Sequence, residues 1–416
     1  MTASGRGLAA RSRSRSLAGA TQDEVRRHNR SQLLRILHVE GSTSRSALTA
    51  ATGLNRSTVG ALTSELADAG LVREIAPVGR GVGRPSIVVE PASDQVHVLA
   101  IEIAVDRTVV ALVGIGGDVL VRRERGHARG EHSVRQVLAR AGRLVEAVQR
   151  LAPEGSSCVG IGVSVPGVVR HVDGMVRFAP NLGWVDVPLA ALLAERLRTP
   201  LTVTVGNDAD LGAVAEQLRG AAVGSANVVY LSGDVGVGGG IILDGHLMSG
   251  EGGYGGEIGH MVINPRGRIC RCGARGCWET EIGEDALAAA LGLPGERVDA
   301  KQVLELTAPY ANHARMRKIG EWVGIGVANL VNIFNPQVVI FGGLLRGVFP
   351  GTEEQIRSAV DRALVAPREL VHLVTPGLDG DSTLLGAAEL AFGPLLEDPL
   401  GTLDKVASAG VSAGRT

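Results

Sequence analysis

Apolar residues recur at helical spacing in three short segments near the start of the chain. The first segment covers residues 23–39 and is followed by Gly41, which fits a helix stop. The second covers residues 44–52 and ends at a glycine turn, and the third covers residues 55–69. Two helices joined by a turn that contains glycine predict a helix-turn-helix unit.

A Gly/Arg-rich loop, residues 78–85, follows the third helix and separates two short segments that favour β-strands, one after Val72 and one at residues 86–90. This arrangement predicts a wing, and hence a winged helix-turn-helix domain over residues 23–91. Residues 1–22 consist mainly of Gly, Ala, Ser and Arg, and we expect them to form a disordered basic arm.

Buried strands and amphipathic helices alternate over the remainder of the chain. The helices are predicted at residues 134–151 and 319–334, and the strands at residues 98–105, 108–113, 158–165, 201–205, 228–232 and 338–341. Repeated strand-hairpin-helix units predict an α/β fold with two lobes and a cleft between them. In such sheets ligands bind at the carboxyl ends of strands, where Asn207 and Asp208 follow one predicted strand. Residues 397–416 are small and polar, and we expect a flexible tail there.

Composition places the chain among globular proteins of two or three domains, since it has 416 residues, of which 45% are hydrophobic and 20% charged. Neither a signal-peptide pattern nor an apolar run of membrane-spanning length occurs in it. Three of the four cysteines are clustered, so a disulfide framework is not expected. These observations predict a cytoplasmic protein with no membrane contact.

The net charge of −1 is unevenly distributed. Up to Glu90 the chain has thirteen Arg and no Lys against seven Asp or Glu, an excess of +6, so the remainder carries −7. A basic end on an acidic body predicts that the N-terminal domain binds a polyanion, and operator DNA is the expected partner. The candidate contacts are Arg45, Asn55, Arg56, Ser57 and Thr58 at the helix-turn-helix and Arg80 and Arg84 in the wing.

Three cysteines and one histidine lie within eighteen positions of the sequence: His260, Cys270, Cys272 and Cys277. Three thiolates and one imidazole are the donor set of a tetrahedral structural zinc site, and Gly273 and Gly276 permit the tight turns that it needs. The C-x-C spacing is less common than C-x2-C, and the alternative is a set of unconnected thiols. We expect a structural zinc ion that fixes the loop between two carboxylates, Glu257 and Glu279.

The run Gly256-Glu257-Ile258-Gly259-His260, followed by C-x-C-G-x-x-G-C-x-E, resembles the signature of the ROK family (repressors, open reading frames and sugar kinases). The resemblance extends from about Asn29 to Phe392. It implies a two-lobed actin/hexokinase-like (ribonuclease H-like) fold over residues 92–396. One lobe is expected at about 95–210 with a C-terminal helix at 380–392, and the other at about 211–375.

The resemblance also implies a sugar site, because in this family the same segment binds zinc and contacts a sugar. The residues that match sugar-contacting positions are Asn207, Asp208, Glu257, His260 and Glu279, with Gly167 and Asn181 as further candidates. One ring nitrogen of His260 can bind zinc while the other faces the ligand. Asp208 matches the general base of the family's kinases, in the motif N-D-A-N.

Both loops that hold ATP phosphates in the family's kinases are altered in this chain. The first, resembling D-x-G-G-T in the kinases, reads Glu102-Ile103-Ala104-Val105-Asp106, and the second, G-T-G-V-G-G-G, begins Asp234-Val235. Side chains replace two glycines of the first loop, and each loop gains an acid that repels phosphate. We therefore expect that ATP binding is lost, that no residue is catalytic, and that Asp208 remains as a hydrogen-bond partner for the ligand.

These inferences predict a DNA-binding regulator that responds to a sugar. In the family that the chain resembles, such regulators are more often repressors than activators. The protein would act as a homodimer or a dimer of dimers, respond to a sugar or sugar phosphate, and associate with the nucleoid when bound to DNA. One alternative is an active, glucokinase-like ATP-dependent sugar kinase with an appended DNA-binding domain, in which Asp208 is the general base. Another is a zinc-stabilised scaffold that binds no small molecule.

Overall fold

The computed structural model describes residues 21–76, 86–128, 133–310 and 314–410, apart from the side chains of residues 307–310, 365 and 367. The arm predicted at residues 1–22 lies outside the described residues except for Thr21 and Gln22. The wing arginines Arg80 and Arg84 lie outside them as well.

Three helices and a three-stranded sheet form the N-terminal domain, which we call the head. Its elements are α1 (Gln22–Glu40), β1 (Thr43–Ser44), α2 (Arg45–Thr52), α3 (Arg56–Asp68), β2 (Val72–Ile75) and β3 (Val88–Pro91). The sheet has the order β1-β3-β2, and both pairings are antiparallel. Both helices predicted on either side of Gly53 are present. Their boundaries follow from side-chain caps, since Ser44 accepts from the Ala47 N–H at 3.1 Å and Asn55 accepts from the Thr58 N–H at 2.8 Å.

The first α/β lobe contains a large mixed sheet and a small antiparallel sheet. In chain order its elements are β4 (Val96–Ile103), β5 (Arg107–Gly114), β6 (Val119–Gly126), α4 (Val134–Gln149), β7 (Ser157–Val165), β8 (Val168–Arg170), β9 (Met175–Ala179), β10 (Trp184–Val187), α5 (Leu189–Leu197), β11 (Val203–Asn207) and α6 (Asp208–Arg219). The sheets have the orders β11-β7-β4-β5-β6 and β10-β9-β8. Strand β7 is parallel to both of its neighbours.

The second lobe is built on another five-stranded sheet, of order β14-β13-β12-β15-β16. Its elements are β12 (Val228–Gly233), β13 (Val237–Leu243), β14 (His246–Leu247), α7 (Trp278–Ile282), α8 (Glu284–Ala290), α9 (Ala300–Tyr310), α10 (Ala314–Phe334), β15 (Val338–Gly343), α11 (Leu345–Val360), α12 (Val365–Leu370) and β16 (His372–Val374). The chain ends in α13 (Ser382–Glu397) and α14 (Pro399–Ser408). Helix α13 returns to the first lobe, where it packs against α6, β4 and β7.

The expectation of a flexible tail from residue 397 is wrong for residues 399–408, which form α14. Asp398 caps this helix, and Pro399, Thr402 and Val406 are buried on the face that contacts α13 and α1. Because this buried face is short and one of its residues is polar, it left no clear apolar periodicity in the sequence.

One hydrophobic core runs from the head into the first lobe, joining Leu33 and Leu66 of the head with Leu99 and Leu395 of the body. The second lobe has a separate core around the fully buried Trp278 and Phe341. The head is therefore packed on the first lobe. Among the helices of the described residues, none is both long and apolar enough to cross a membrane.

Candidate functional site

A cleft between the carboxyl end of β11, the start of β13 and the loop before α7 brings the predicted sugar-site residues together. It is lined by Gly167, Asn181, Asn207, Asp208, Glu257, His260 and Glu279. These residues come from separate stretches of the chain, up to 112 positions apart in sequence. The folding of both lobes is needed to form the cleft, and binding of a sugar in it stays a prediction.

Asn207 and Asp208 stand where β11 ends and α6 begins. The Asn207 Oδ1 atom accepts from the backbone N–H groups of Ala209 and Asp210, at 2.8 and 3.1 Å, and so caps α6. Its Nδ2 group donates to the Gly167 carbonyl at 2.9 Å. Asn207 therefore holds two walls of the cleft together, while Asp208 presents its carboxyl group at the start of the helix.

Burial, together with the negative charges of Asp234 and Glu102, raises the pKa of Asp208 to about 7. The Ala209 N–H bonded to the carboxylate at 2.9 Å opposes this shift. A carboxyl group that titrates near neutral pH can accept a proton from a hydroxyl group or share one with it. This environment suits a hydrogen-bond partner for a polyhydroxyl ligand, and it equally suits a general base.

Asp210 is a cleft residue that the sequence reasoning did not select. It is 4% exposed, and its Oδ1 atom has no hydrogen-bond partner among the described residues. Burial raises its pKa to about 7, with further contributions from the charges of Asp208 and Glu257. The signal was present in the sequence, since this chain has Asp where the fourth position of N-D-A-N is Asn.

Arg271 was also missed. It lies in the C-x-C segment, lines the cleft, and donates from Nη1 to the Asn181 Oδ1 atom. The contact links the cysteine loop to the turn before β10, across 90 positions of sequence. No local pattern around either residue indicates such a pairing.

The four predicted metal ligands, His260, Cys270, Cys272 and Cys277, form one group in which all donor atoms lie within 4.8 Å of one another. The Cys270 Sγ and His260 Nδ1 atoms are 3.6 Å apart, and the Cys272 and Cys277 Sγ atoms are 3.7 Å apart. A tetrahedral ion with metal–sulfur bonds of about 2.3 Å separates two sulfurs by about 3.7 Å. The donor set therefore fits a tetrahedral metal ion.

The turn that closes the cysteine loop depends on Gly276, which has a φ of +79°. A Cβ atom at this position would lie 1.7 Å from the Asn264 carbonyl oxygen. Only glycine can adopt this conformation with the backbone so close.

The ring of His260 connects the metal group to the cleft. Its Nδ1 atom faces Cys270, and its Nε2 atom lies 3.8 Å from the Glu257 Oε2 atom. Glu279 approaches the group from the other side, since its Oε1 atom accepts from the Cys270 thiol at 2.8 Å. A bound ion would fix the His260 ring beside Glu257, and it would take the place of the Cys270 thiol proton that now bonds to Glu279.

The two altered loops lie beside Asp208, in a region that also contains Glu102 and Arg107. Arg107 donates from Nη2 to the Glu102 Oε1 atom at 2.7 Å, and its Nη1 atom lies 3.6 Å from Asp106. Burial and the neighbouring Asp106 raise the pKa of Asp234 to about 6, despite the opposing charge of Arg107. The carboxylates of Glu102 and Asp106 therefore lie beside Arg107 and already neutralise its charge.

The other basic residues described in this region are paired too. Arg122, Lys301 and Arg346 each lie within 3.8 Å of a carboxylate oxygen. These three pairs are largely exposed to solvent, so they are weak and would compete little with an incoming phosphate.

Some of the residues predicted to contact DNA are exposed on the head, and others form hydrogen bonds within it. Arg56 and Ser57 are exposed at the start of α3, and Thr58 is half-buried there. Asn55 is exposed, but its Oδ1 atom caps α3 and also accepts from the Ser57 hydroxyl at 2.7 Å.

Arg45 forms hydrogen bonds inside the head. It donates to the Thr63 hydroxyl at 2.9 Å, to the Ser64 hydroxyl at 3.1 Å and to the Glu74 carboxylate. These bonds hold α2 against α3 and β2. Arg45 therefore has a packing role, and its contact with DNA stays a prediction.

Comparison with known proteins gives matches along most of the chain. The ROK family model matches residues 98–393. The xylose repressor of Bacillus subtilis (strain 168) is 29% identical over 382 residues, which cover 91% of this chain and 98% of that protein. The glucokinase of Thermotoga maritima is 31% identical over 271 residues, which cover 60% of this chain and 83% of the kinase.

A solved structure agrees with these matches. The crystal structure of a ROK family transcriptional regulator, a homologue of the E. coli MLC protein, superposes with a TM-score of 0.75 and 26% sequence identity. The superposition covers 92% of this chain and 99% of that one. Because the ROK family model matches well over half of the chain, the chain belongs to the ROK family.

Proposed function

We propose that this chain is a sugar-responsive transcriptional repressor, in which a winged helix-turn-helix head binds operator DNA and the cleft binds the effector. The main support for this proposal is the share of the chain that each relative matches. Similarity to the xylose repressor and to the regulator structure covers 91% and 92% of the chain, whereas similarity to the glucokinase covers 60%.

The effector is a sugar whose hydroxyl groups hydrogen-bond to the cleft carboxylates. Buried carboxylates that need hydroxyl partners discriminate strongly against ligands that lack them. The names of the relatives make D-xylose the first compound to test, followed by D-glucose and the phosphates of both sugars. A zinc ion bound by His260 and the three cysteines would hold Glu257 and Glu279 in the geometry that recognises the ligand.

The head binds DNA through the start of α3. Exposed polar residues at the N-terminal end of a recognition helix contact base edges and phosphates in the major groove, and Arg56 and Ser57 occupy that position. A homodimer would present two heads to two half-sites. Sugar binding can change the DNA affinity only by as much as the sugar's own affinities for the two arrangements of the heads differ.

Loss of phosphoryl transfer follows from the charges beside Asp208. Transfer from ATP needs free cationic groups or Mg²⁺ around the γ-phosphate. Here Asp106 and Asp234 occupy the altered loops, and Arg107 is already paired with Glu102.

A second candidate function, an ATP-dependent sugar kinase, is favoured by the pKa of about 7 at Asp208. A coupled assay with ATP, Mg²⁺ and a panel of sugars separates the two functions. We expect no turnover above a protein-free blank. Turnover that Asp208→Asn abolishes would establish the kinase instead.

Calorimetry of the full-length protein with D-xylose, D-glucose and their phosphates tests the effector site directly. We expect saturable binding of at least one of these compounds, weakened at least about tenfold by Glu257→Gln, because a charge-assisted hydrogen bond contributes about 1.5–3 kcal/mol. The exposed Glu353→Gln on α11 is the matched control and should bind as the wild type does. Absence of binding across the whole panel would contradict the proposal.

A further inference from the structure

Helix α6 joins the cleft to the head. Its N-terminal end carries Asn207, Asp208 and Asp210, all of which line the cleft. Its last turn carries Arg219, whose side chain lies against α1 of the head. At a rise of about 1.5 Å per residue, the twelve residues of α6 span about 18 Å between these two ends.

The contact at the far end is a buried network of three charged or polar side chains. The Arg219 Nε group donates to the Glu389 Oε1 atom at 2.7 Å, and the other oxygen of Glu389 lies 2.8 Å from the His38 Nε2 atom. His38 is 1% exposed and lies in the last turn of α1, and Glu389 lies in α13. We call these three residues the latch.

Backbone groups complete the hydrogen bonds of the latch. Arg219 donates from Nη2 to the His38 carbonyl at 2.9 Å and from Nη1 to the Gly116 carbonyl at 2.7 Å. The Gly116 N–H donates to the His38 Nδ1 atom at 3.1 Å, and the Nε2 atom lies between the Glu389 Oε2 atom at 2.8 Å and the Arg219 Nη2 atom at 2.9 Å. The neighbouring Gly117 makes room for the guanidinium, because a Cβ atom there would lie 2.6 Å from the Arg219 Cζ atom.

Near its C-terminal end, α6 is tied to the start of α13. The fully buried Glu216 carboxylate accepts from the Gly377 and Leu378 N–H groups, at 2.9 and 3.1 Å, and from the Ser382 hydroxyl at 2.7 Å. Ser382 begins α13, which carries Glu389 two turns later. A displacement of α6 along its axis would therefore act on α13 and on both latch partners of His38.

We propose that α6 and the latch transmit occupancy of the cleft to the head, with Arg219 as the positioning residue. The proposal rests on the proposed function, since it requires that a sugar binds in the cleft and that the head binds DNA. Because the latch is buried and fully hydrogen-bonded, it has few alternative arrangements, and a shift at the cleft end of α6 changes how α1 is held.

The test uses the full-length protein, D-xylose and D-glucose as ligands, and the duplex that the wild-type protein enriches in vitro from a random DNA library. Calorimetry gives the sugar affinity, and fluorescence anisotropy gives the DNA affinity with and without sugar. For Arg219→Gln we expect a sugar affinity within about twofold of the wild type, while the ligand-dependent change in DNA affinity, about 5–150-fold for ordinary couplings, falls below about twofold. Arg219→Lys keeps one charged donor for Glu389 and should restore part of the coupling.

Removing one member of a buried ion pair can unfold a protein, so a second variant is needed. Arg219→Gln combined with Glu389→Gln removes both charges, although Gln is shorter than Arg and the His38 and Gly116 carbonyls lose their donor. It should melt below the wild type but above Arg219→Gln alone, because no unpaired charge stays buried, and it should still lack coupling. The exposed Arg357→Gln on α11 is the matched control and should couple as the wild type does.

Hydrogen exchange of α1 provides a readout that does not need DNA. Sugar should change the protection of α1 amides in the wild type and leave it unchanged in Arg219→Gln. A variant that binds sugar and keeps the full coupling would overturn the latch and leave the proposed function standing. Failure of the wild type to bind either sugar would contradict the proposed function and the latch together.

Discussion

Single residues in the cleft could be predicted only where a motif placed them. Asn207 and Asp208 follow a strand in a recognisable pattern, whereas Arg271 reaches the cleft through its contact with Asn181, far away in sequence. Arg45 has an internal partner that the sequence did not reveal. Its basic side chain near the turn predicts a DNA contact, and it also pairs with a carboxylate inside the head, that of Glu74. Charge in the sequence does not say which arginines find an internal partner.

Asp210 predicts a dependence of stability on pH. Its pKa is about 7 in the folded protein and about 3.8 when unfolded, so between these values only the folded protein holds the proton. Raising the pH from about 4 to about 7 therefore lowers the free energy of unfolding. Asp210→Asn removes this penalty, and at pH 8 we expect the variant to be more stable than the wild type by up to about 4 kcal/mol.

Urea denaturation at pH 4 and pH 8 checks this expectation. The difference in the free energy of unfolding between Asp210→Asn and the wild type should be small at pH 4 and large at pH 8. The exposed Asp244→Asn is the matched control and should show no such change with pH. Equal gaps for Asp210→Asn at both pH values would show that the carboxylate is not destabilised by its surroundings.

Arg56 predicts a change in DNA affinity. It is exposed at the start of α3, and if it contacts phosphate, Arg56→Ala should weaken DNA binding and reduce the slope of log K against log salt by about 1. Anisotropy titrations at several salt concentrations measure both quantities. Arg357→Ala, on the second lobe, should change neither. An unaltered slope in Arg56→Ala would remove this residue from the interface.

At the scale of elements, long periodic segments were predictable and short or mixed ones were not. Helices α4 and α10 show sustained apolar spacing, and β4 is apolar at six of its eight positions, since every residue in it is buried. Helix α14 was missed because its buried face is short. The small sheet of β8, β9 and β10 was missed because its strands have three to five residues.

The cysteine loop predicts a joint loss of metal and sugar response. Cys272→Ser removes one of four donors, so a tetrahedral site cannot be completed, and we expect metal content to fall from about one ion per chain to a small fraction. Sugar affinity should fall with it, since Glu257 and Glu279 lose their fixed geometry. The head should still bind DNA, because none of its residues contacts this loop among the described hydrogen bonds and ion pairs.

Elemental analysis and calorimetry on the same preparation measure both effects. Cys158→Ala is the control, because Cys158 is buried in the first-lobe core and lies outside the metal group. It should retain metal and sugar binding. Full sugar affinity in metal-free Cys272→Ser would separate the metal from ligand recognition.

At the scale of the whole molecule, the sequence indicated a head and two lobes, and its resemblance to the ROK family placed a C-terminal helix with the first lobe, where α13 packs. It did not indicate how the head is joined to the body, where α1 reaches both α13 and α6. Contacts such as that between His38 and Glu389, separated by 351 positions, leave no local pattern. They are nevertheless the contacts through which a ligand in the cleft can act on the head.

The central claim is that a sugar in the cleft controls how the head binds DNA. Fluorescence anisotropy of the full-length protein with its selected duplex, at saturating and at zero D-xylose, tests it most directly. We expect the sugar to weaken DNA binding by about 5–150-fold, which corresponds to a coupling of about 1–3 kcal/mol. Identical DNA affinities with and without sugar, in a protein that calorimetry shows to be saturated, would contradict the claim.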